Sequence, residues 1–450
     1  MTPATGSAEG SATDASPGLG NLLDELSWRG MLHDTTPGLP ARLASGRPIA
    51  GYNGFDPSGP SLHVGHLVPI FGLLQFQRHG GRPVTLLGGG TGMIGDPSGT
   101  SAERNLLDRE TLDANAVTIR TQLERFLDFD ASAGDRGALL VNNLDWLGQI
   151  GLIDWLRDVG KHFTIPYMLA KDSVQVRLDR GLSFTEFSYM LIQATDYEHL
   201  HRELGVDLQM GGADQWGNIT AGLELIRRRA GIEAGAADRG AEEPAHALAY
   251  RLLLSPSGAK FGKTEGGTSV WLDAERTSPY AFYQYWLNTD DRDVGTYLRW
   301  FTLLGRAEIE ALEASLAARP EARDAQRALA RDITTRTHGA STAQQAEADA
   351  AAMFGDRDPA DPAQLERLYG SVDSFEFSDA DVTAGAGAVS VSSGSYPSNS
   401  AARRAIDQGG LSINGQRIAA FDQPVPDLIG GRFLVIRTGK RTKRIGRLRN

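Results

Sequence analysis

The chain has 450 residues, 41% hydrophobic and 22% charged, with a net charge of −11 and no cysteine. One ordinary core does not organise that length, so two or three domains are expected. No apolar run approaches the roughly 20 residues that span a bilayer, which excludes a transmembrane helix, and the missing cysteines exclude disulfides, thiolate metal ligands and a cysteine nucleophile, in keeping with a cytoplasmic protein.

Residues 1–18 are small, polar and aperiodic and are expected to be disordered; they hold Glu9 and Asp14, no arginine and no apolar core, unlike a signal or transit peptide. A helix is expected around Leu22 to Trp28, then a strand from Pro48 to Phe55 that carries Tyr52 and Gly54 and runs into the turn Asp56-Pro57-Ser58-Gly59. Leu62 to His79 has helical apolar spacing and Pro83 to Leu87 reads as the next parallel strand, making a βαβ unit with its binding edge at the strands' carboxyl ends. Pro69, inside that helix, is expected to cost a hydrogen bond and kink it. His63-Val64-Gly65-His66 places two imidazoles one turn apart at the helix start, where free N–H groups and the macrodipole favour an anion. Gly65 leaves room for a phosphate chain against the backbone. Gly90 to Gly95 matches G-x-G-x-x-G, but Asp96-Pro97-Ser98-Gly99 breaks the helix that a dinucleotide site needs, so that reading is declined.

Residues from about 144 to 208 read as a mostly helical insertion. Within it, Tyr189, Gln193 and Asp196 stand at i, i+4 and i+7, so a hydroxyl, an amide and a carboxylate share one helix face. A buried carboxylate needs donors, and a ligand bearing a phenolic hydroxyl and an ammonium supplies them. Tyr52, at the end of the strand before the histidine helix, can reach the same pocket. Strand-like Leu208 to Met210 leads into the turn Gly211-Gly212-Ala213-Asp214-Gln215, a helix, a strand from Tyr250 to Leu254, and the glycine-flanked loop Lys260-Phe261-Gly262-Lys263-Thr264. Two ammonium groups and a hydroxyl on a loop able to move, facing two imidazoles, form a trap for a triphosphate and its leaving pyrophosphate.

From Ser278, an N-cap with Pro279 at the first helical position, the chain turns helical, with helices near Pro320 to His338 and Ser341 to Phe354 ending at Gly339 and Gly355. Val382 to Ser395 is rich in Gly, Ala and Ser and reads as a linker. A short basic helix with Arg403 and Arg404, an Asn414-Gly415 hairpin, a strand from Arg432 to Arg437 and the basic end Lys440, Arg441, Lys443 and Arg444 follow. Residues 401–450 hold eleven Lys/Arg against three Asp, a +8 module on a −19 body, as expected for a local contact with a polyanion.

The histidine motif and the Lys260 loop, in this order, resemble the HIGH and KMSKS signatures of class I aminoacyl-tRNA synthetases, and the last module resembles an S4-like RNA-binding domain. With Gly54-Phe-Asp56-Pro, Gly95-Asp96-Pro-Ser-Gly99, the Phe184 to Asp196 helix and Gly211 to Asn218 added, nearly everything after residue 20 resembles the bacterial-type tyrosyl-tRNA synthetases. The resemblance implies an α/β fold: a Rossmann-like parallel-sheet catalytic domain (19–270) whose insertion (144–208) joins two subunits into a homodimer, an α-helical anticodon-binding domain (271–370), a linker (371–395) and an S4-like domain (396–450). It implies that Tyr52 and Asp196 bind the phenol of L-tyrosine, that Tyr189, Gln193 and Asp96 hold its ammonium, and that Gln215 lies near its carboxylate. The resemblance also implies ATP as a substrate that would carry its own Mg²⁺, with no protein-bound metal expected. The nucleotide would meet Gly54, Asp56, Gly65, Gly212 and Asp214, with His66 by the ribose, while His63, Ser58, Lys260, Lys263 and Thr264 stabilise departing pyrophosphate. tRNA(Tyr) would meet Arg403, Arg404, Lys440, Arg441, Lys443 and Arg444. One departure is that many members carry a lysine after the GDPSG turn, where this chain has Thr100 and Ser101, with Arg104 as the nearby cation. Two rival classes remain. A small-molecule nucleotidyltransferase also uses H-x-G-H but has no need of an RNA module, and a degenerate, synthetase-like RNA-binding protein would not need the histidines and lysines intact.

Overall fold

A computed structural model describes residues 18–96, 107–130, 134, 136–171, 174–175, 178, 181–231, 243–253, 261, 269–355, 357–439 and 442–449. The chain divides into two bodies, residues up to 261 with 299–301, and 262–298 with 302 onward.

The first body is built on a six-stranded sheet of order β1-β6-β5-β2-β3-β4: β1 (Leu32–Thr35), β2 (Ala50–Phe55), β3 (Arg82–Leu87), β4 (Leu139–Asn142), β5 (Val206–Gly212) and β6 (His246–Tyr250). Strands β2 to β6 run parallel and β1 pairs antiparallel with β6. Its helices are α1 (Leu22–Trp28), α2 (Leu39–Ala44), α3 (Leu67–Arg78), α4 (Arg109–Leu123), the single turn α5 (Leu144–Leu147), α6 (Leu152–Asp158), α7 (Ile165–Leu169), α8 (Phe184–Leu204) and α9 (Trp216–Arg229). The βαβ unit is β2-α3-β3. Pro69 falls in the first turn of α3, where a backbone N–H has no intrahelical partner, so the expected lost bond does not arise.

Helix α8 positions the polar stripe. Its start is a capping box, Ser183 accepting from the Glu186 N–H and Glu186 returning to the Ser183 backbone, and it stops at Gly205 in the left-handed region (φ 62°). Its Tyr197 and Leu200 pack with Tyr52, Val84 and Leu86 of the sheet, while Met190, Leu191 and Ala194 pack with Phe163, Met168 and Leu225. Both long faces of α8 are thereby covered, which fixes the direction of Tyr189, Gln193 and Asp196.

The second body holds α10 (Pro279–Leu287), α11 (Val294–Phe301, whose last three residues group with the first body), α12 (Arg306–Ala318), α13 (Asp324–His338), α14 (Ala340–Phe354) and α15 (Pro362–Leu368). Ser278 caps α10 through the Ala281 N–H, as expected. A five-stranded sheet of order β7-β11-β10-β8-β9 follows: β7 (Ser374–Phe377), β8 (Leu411–Ile413), β9 (Gln416–Arg417), β10 (Phe433–Thr438) and β11 (Thr442–Leu448). It packs with α16 (Asp379–Thr383), α17 (Ala386–Ser392) and α18 (Asn399–Asp407). The Asn414-Gly415 turn has positive φ at both residues (51° and 76°), as a two-residue hairpin demands.

Two readings need correction. The stretch 371–395 is not a linker: Ser374–Phe377 pairs with β11 as strand β7, and Ala386 and Val389 of α17 are fully buried with Ile406, Leu434 and Ile436. The strand expected at Tyr250 to Leu254 instead ends at Tyr250 and begins at His246. The disordered-tail expectation for 1–18 falls outside the described residues except at Gly18.

Candidate active site

The H-x-G-H segment forms a one-turn 3₁₀ start to α3. His63 Nδ1 accepts the Gly65 N–H at 3.0 Å, and His66 Nδ1 accepts the His63 N–H at 3.1 Å. Because both Nδ1 atoms act as acceptors, a neutral ring at either position carries its proton on Nε2. The rings lie 4.1 Å apart. A Cβ at position 65 would stand 2.7 Å from the His63 ring, so the glycine first of all admits that ring.

A cavity of about 470 Å³ opens at the carboxyl ends of β2, β3 and β5. It brings together Tyr52, Gly54, Asp56, Ser58, Gly65, His66, Asp96, Tyr189, Gln193, Asp196, Gly212, Asp214 and Gln215, thirteen positions singled out in the sequence. His63 is outside this lining but touches it through His66. Lys260, Lys263 and Thr264 lie outside the described residues, as do Thr100, Ser101 and Arg104. Phe261, between the two lysines, lines the cavity and stacks on Phe301 at 5.3 Å.

One end of the cavity holds Tyr52 and Asp196. The Tyr52 hydroxyl is buried with no hydrogen-bond partner among the described residues, and burial, with the Asp196 charge close by, raises its pKa well above the usual value, keeping it a donor. Asp196 is 1% exposed; one oxygen accepts from Asn143 Nδ2 at 2.9 Å and the other from Trp146 Nε1 at 2.8 Å. Burial pushes its pKa up to about 7, against the pull of those two donors. Two bonds do not exhaust a carboxylate's lone pairs, so Asp196 can still accept from a ligand.

The rest of the cavity is acidic. Asp56 accepts from the Tyr189 hydroxyl at 3.1 Å and the Thr91 hydroxyl at 2.7 Å, and Asp96 accepts from Gln215 Nε2 at 2.7 Å. Asn218 Nδ2 in turn donates to Gln215 Oε1 at 3.1 Å. Four carboxylates, Asp56, Asp96, Asp196 and Asp214, on one small cavity favour a ligand carrying a positive charge.

Asn143, Trp146 and Thr91 were missed by sequence reasoning. Asn143 is fully buried and joins three elements, accepting the Gly90 N–H at 2.7 Å while donating to Asp196 and to Thr91 at 3.0 Å. The signal was available: a strand recognised at Leu139–Asn142 puts Asn143 at a carboxyl end on the binding edge.

Of the basic residues assigned to RNA, Arg403 and Arg404 are exposed, Arg403 lying over the Phe421 ring at 4.1 Å. Lys440 and Arg441 lie outside the described residues. Lys443 is a correction. Its ammonium is buried, donating to the carbonyls of Ala352 at 2.8 Å, Gly355 at 2.9 Å and Arg357 at 2.7 Å, and pairing with Asp358 at 3.5 Å. Those partners satisfy the charge and leave it no face for a phosphate. Arg444 is half-buried, paired with Asp373 at 2.7 Å and bonded to the Ser393 carbonyl.

A parallel sheet with an acidic pocket at its strand ends and a paired-histidine helix start has the make-up of a class I aminoacyl-tRNA synthetase. Residues 44–355 match the family described as tRNA synthetases class I (W and Y), and residues 364–444 match the tyrosine–tRNA ligase SYY-like C-terminal domain. A tyrosine–tRNA ligase of Anaeromyxobacter dehalogenans is 48% identical over 95% of this chain and its own whole length, and one of Geobacillus stearothermophilus 46% identical over 94% of the chain and 98% of its own. Among solved structures, a C-terminally truncated mitochondrial tyrosyl-tRNA synthetase of Aspergillus nidulans superposes with a TM-score of 0.65 at 29% identity, covering 74% of this chain and 94% of that one. The corresponding Coccidioides posadasii protein gives 0.62 at 30%, covering 73% and 91%. The chain belongs to the tyrosine–tRNA ligases, which use ATP to join tyrosine to tRNA(Tyr).

Proposed function

We propose that the cavity is where both substrates meet, and that Tyr52 and Asp196 read the phenolic hydroxyl of tyrosine. The unpartnered, buried Tyr52 hydroxyl near the anchored Asp196 carboxylate carries this reading. A phenol there accepts from Tyr52 and donates to Asp196, which satisfies both groups. Tyr189, Gln193 and Asp96 take the ammonium, and Gln215 lies by the substrate carboxylate.

That carboxylate is the nucleophile at the α-phosphorus of ATP. A bond forms from its oxygen to phosphorus as the bond to pyrophosphate breaks, so no side-chain nucleophile or base is needed, and catalysis is positioning and charge stabilisation. Gly54, Asp56, Gly65, Gly212 and Asp214 receive the nucleotide, with His66 by the ribose. His63, Ser58, Lys260, Lys263 and Thr264 stabilise departing pyrophosphate; the cavity position of Phe261 supports this role for its loop. Mg²⁺ enters on the phosphates as part of the substrate. In the second step the terminal ribose hydroxyl of tRNA attacks the acyl carbon and AMP leaves.

Among the described residues eight large apolar side chains, Ile150, Leu152, Ile153, Leu156, Ile165, Leu178, Phe184 and Leu204, are exposed within the insertion, which supports a homodimer formed there. The helices of the second body would serve the anticodon and the last module the RNA backbone through Arg403 and Arg404. Among the described residues no helix is long and apolar enough to cross a membrane; a cytoplasmic location is part of this proposal.

Tyr52→Phe should lower the preference for tyrosine over phenylalanine modestly, by roughly 0.5–1.5 kcal/mol, and Asp196→Ala should lower it more, since bonds to a charged group are worth about 1.5–3 kcal/mol. The measurement is kcat/KM for both amino acids in adenylate formation. Wild-type selectivity in both folded, active variants would place the phenol site elsewhere.

A further inference from the structure

We propose that His199 is a positioning residue for tyrosine recognition, its ring holding the Trp146 indole so that the indole N–H stays on Asp196. The inference rests on the assignment of Asp196 to the phenolic hydroxyl.

Trp146 comes from α5, a helix of four residues, too short to hold a side chain by its own stability. Its indole is fixed at two points of the neighbouring helix instead. Nε1 donates to Asp196 at 2.8 Å, and the ring face stacks on His199 with centroids 4.3 Å apart and planes 15° from parallel. Asp196 and His199 stand at i and i+3 on α8, so one face of a long, packed helix offers the carboxylate and the stacking surface side by side. The indole bridges them, and its direction is set by α8. Both the His199 ring and the indole are half-buried, so the stack covers one face of the indole. Burial lowers the His199 pKa, so the stacked ring is neutral at pH 7, and the contact is one of ring faces rather than of charge.

Without the stack the indole loses the surface that confines its rotation, its N–H is held less steadily on Asp196, and Asn143 is left as the steady donor to that carboxylate. A less firmly held carboxylate receives the phenol less well, while the phosphate end of the cavity, reached by neither residue, is unaffected.

His199→Ala should raise KM for tyrosine by about three- to tenfold in pyrophosphate exchange, with kcat and KM for ATP within about twofold of wild type. His199→Phe, which restores a ring, should bring KM for tyrosine back to within about twofold. His199→Gln, which keeps length and polarity without a ring, should match the alanine variant and replaces it if that variant fails to fold. Unchanged KM for tyrosine in folded ringless variants, an equal change in KM for ATP, or no rescue by phenylalanine would overturn the proposal. Asp196→Ala measured alongside separates the two levels: if it too leaves KM for tyrosine unchanged, the phenol assignment has failed; if it raises KM while the His199 variants do not, the clamp alone has failed.

Discussion

Burial holds the Asp196 carboxyl near pH 7 although Asn143 and Trp146 both donate to it, and this has a consequence for stability. In the unfolded chain an aspartate titrates near 3.9, so between about pH 4 and 7 the native state binds more protons than the unfolded one. Stability from this group is therefore highest at low pH, falls as pH rises through that window, and is flat above it. At about 1.36 kcal/mol per pH unit the loss is on the order of 4 kcal/mol, the stability given up by burying this carboxylate. Asp196→Asn removes the titration while keeping the shape. Thermal unfolding without tyrosine should show the variant gaining on the wild type as pH is raised from 5 to 8; a difference independent of pH would contradict a raised Asp196 pKa. Lys443 is buried too, and three carbonyls and a carboxylate surround its ammonium.

Elements with a strong local signature were legible in the sequence. Helix α1 follows the expected bounds, Asn414-Gly415 forms its hairpin, and the stripe on α8 points into the cavity. Strands β1 and β4 were not found because each has four residues, lies at a sheet edge and has no fully buried position, so no apolar run marks it. Missing β4 also hid Asn143 and Trp146, which depend on where that strand ends. For β6 the leucines after Tyr250 drew the reading too far along, whereas the buried strand is His-Ala-Leu-Ala-Tyr. Helix α17 was taken for a linker because its residues are small, yet small residues also allow close packing. A Cβ at Gly387 would lie 2.3 Å from the Phe421 ring, and the Gly387 N–H donates to the Phe421 carbonyl at 2.9 Å. Gly387→Ala should accordingly destabilise the second body by about 1–3 kcal/mol of overpacking in denaturant unfolding. A linker glycine would tolerate the change or gain from it, and unchanged or raised stability would contradict the packed helix.

Across the whole molecule, charge is divided between an acidic bulk and a basic last module, but the basic residues do not all serve one purpose. Lys443 is buried, and Arg432 and Arg447 both pair with Glu366. The Glu366 pairs are partly exposed and individually worth little, so phosphate can compete for those arginines as it cannot for Lys443. The sheet edge gathers Tyr52, Asp196, Asp96, Gln215 and His66 into one cavity, where the proposed recognition of a phenol would meet activation by ATP. Sites built to hydrogen-bond a substrate hydroxyl reject the analogue without it, tyrosyl-tRNA synthetases being the standard example. The most direct test is ATP–pyrophosphate exchange by the intact chain with each of the twenty amino acids in turn. Exchange should depend on tyrosine, with phenylalanine and tryptophan far behind; exchange supported equally by either of those, or absent with every amino acid, would contradict the account.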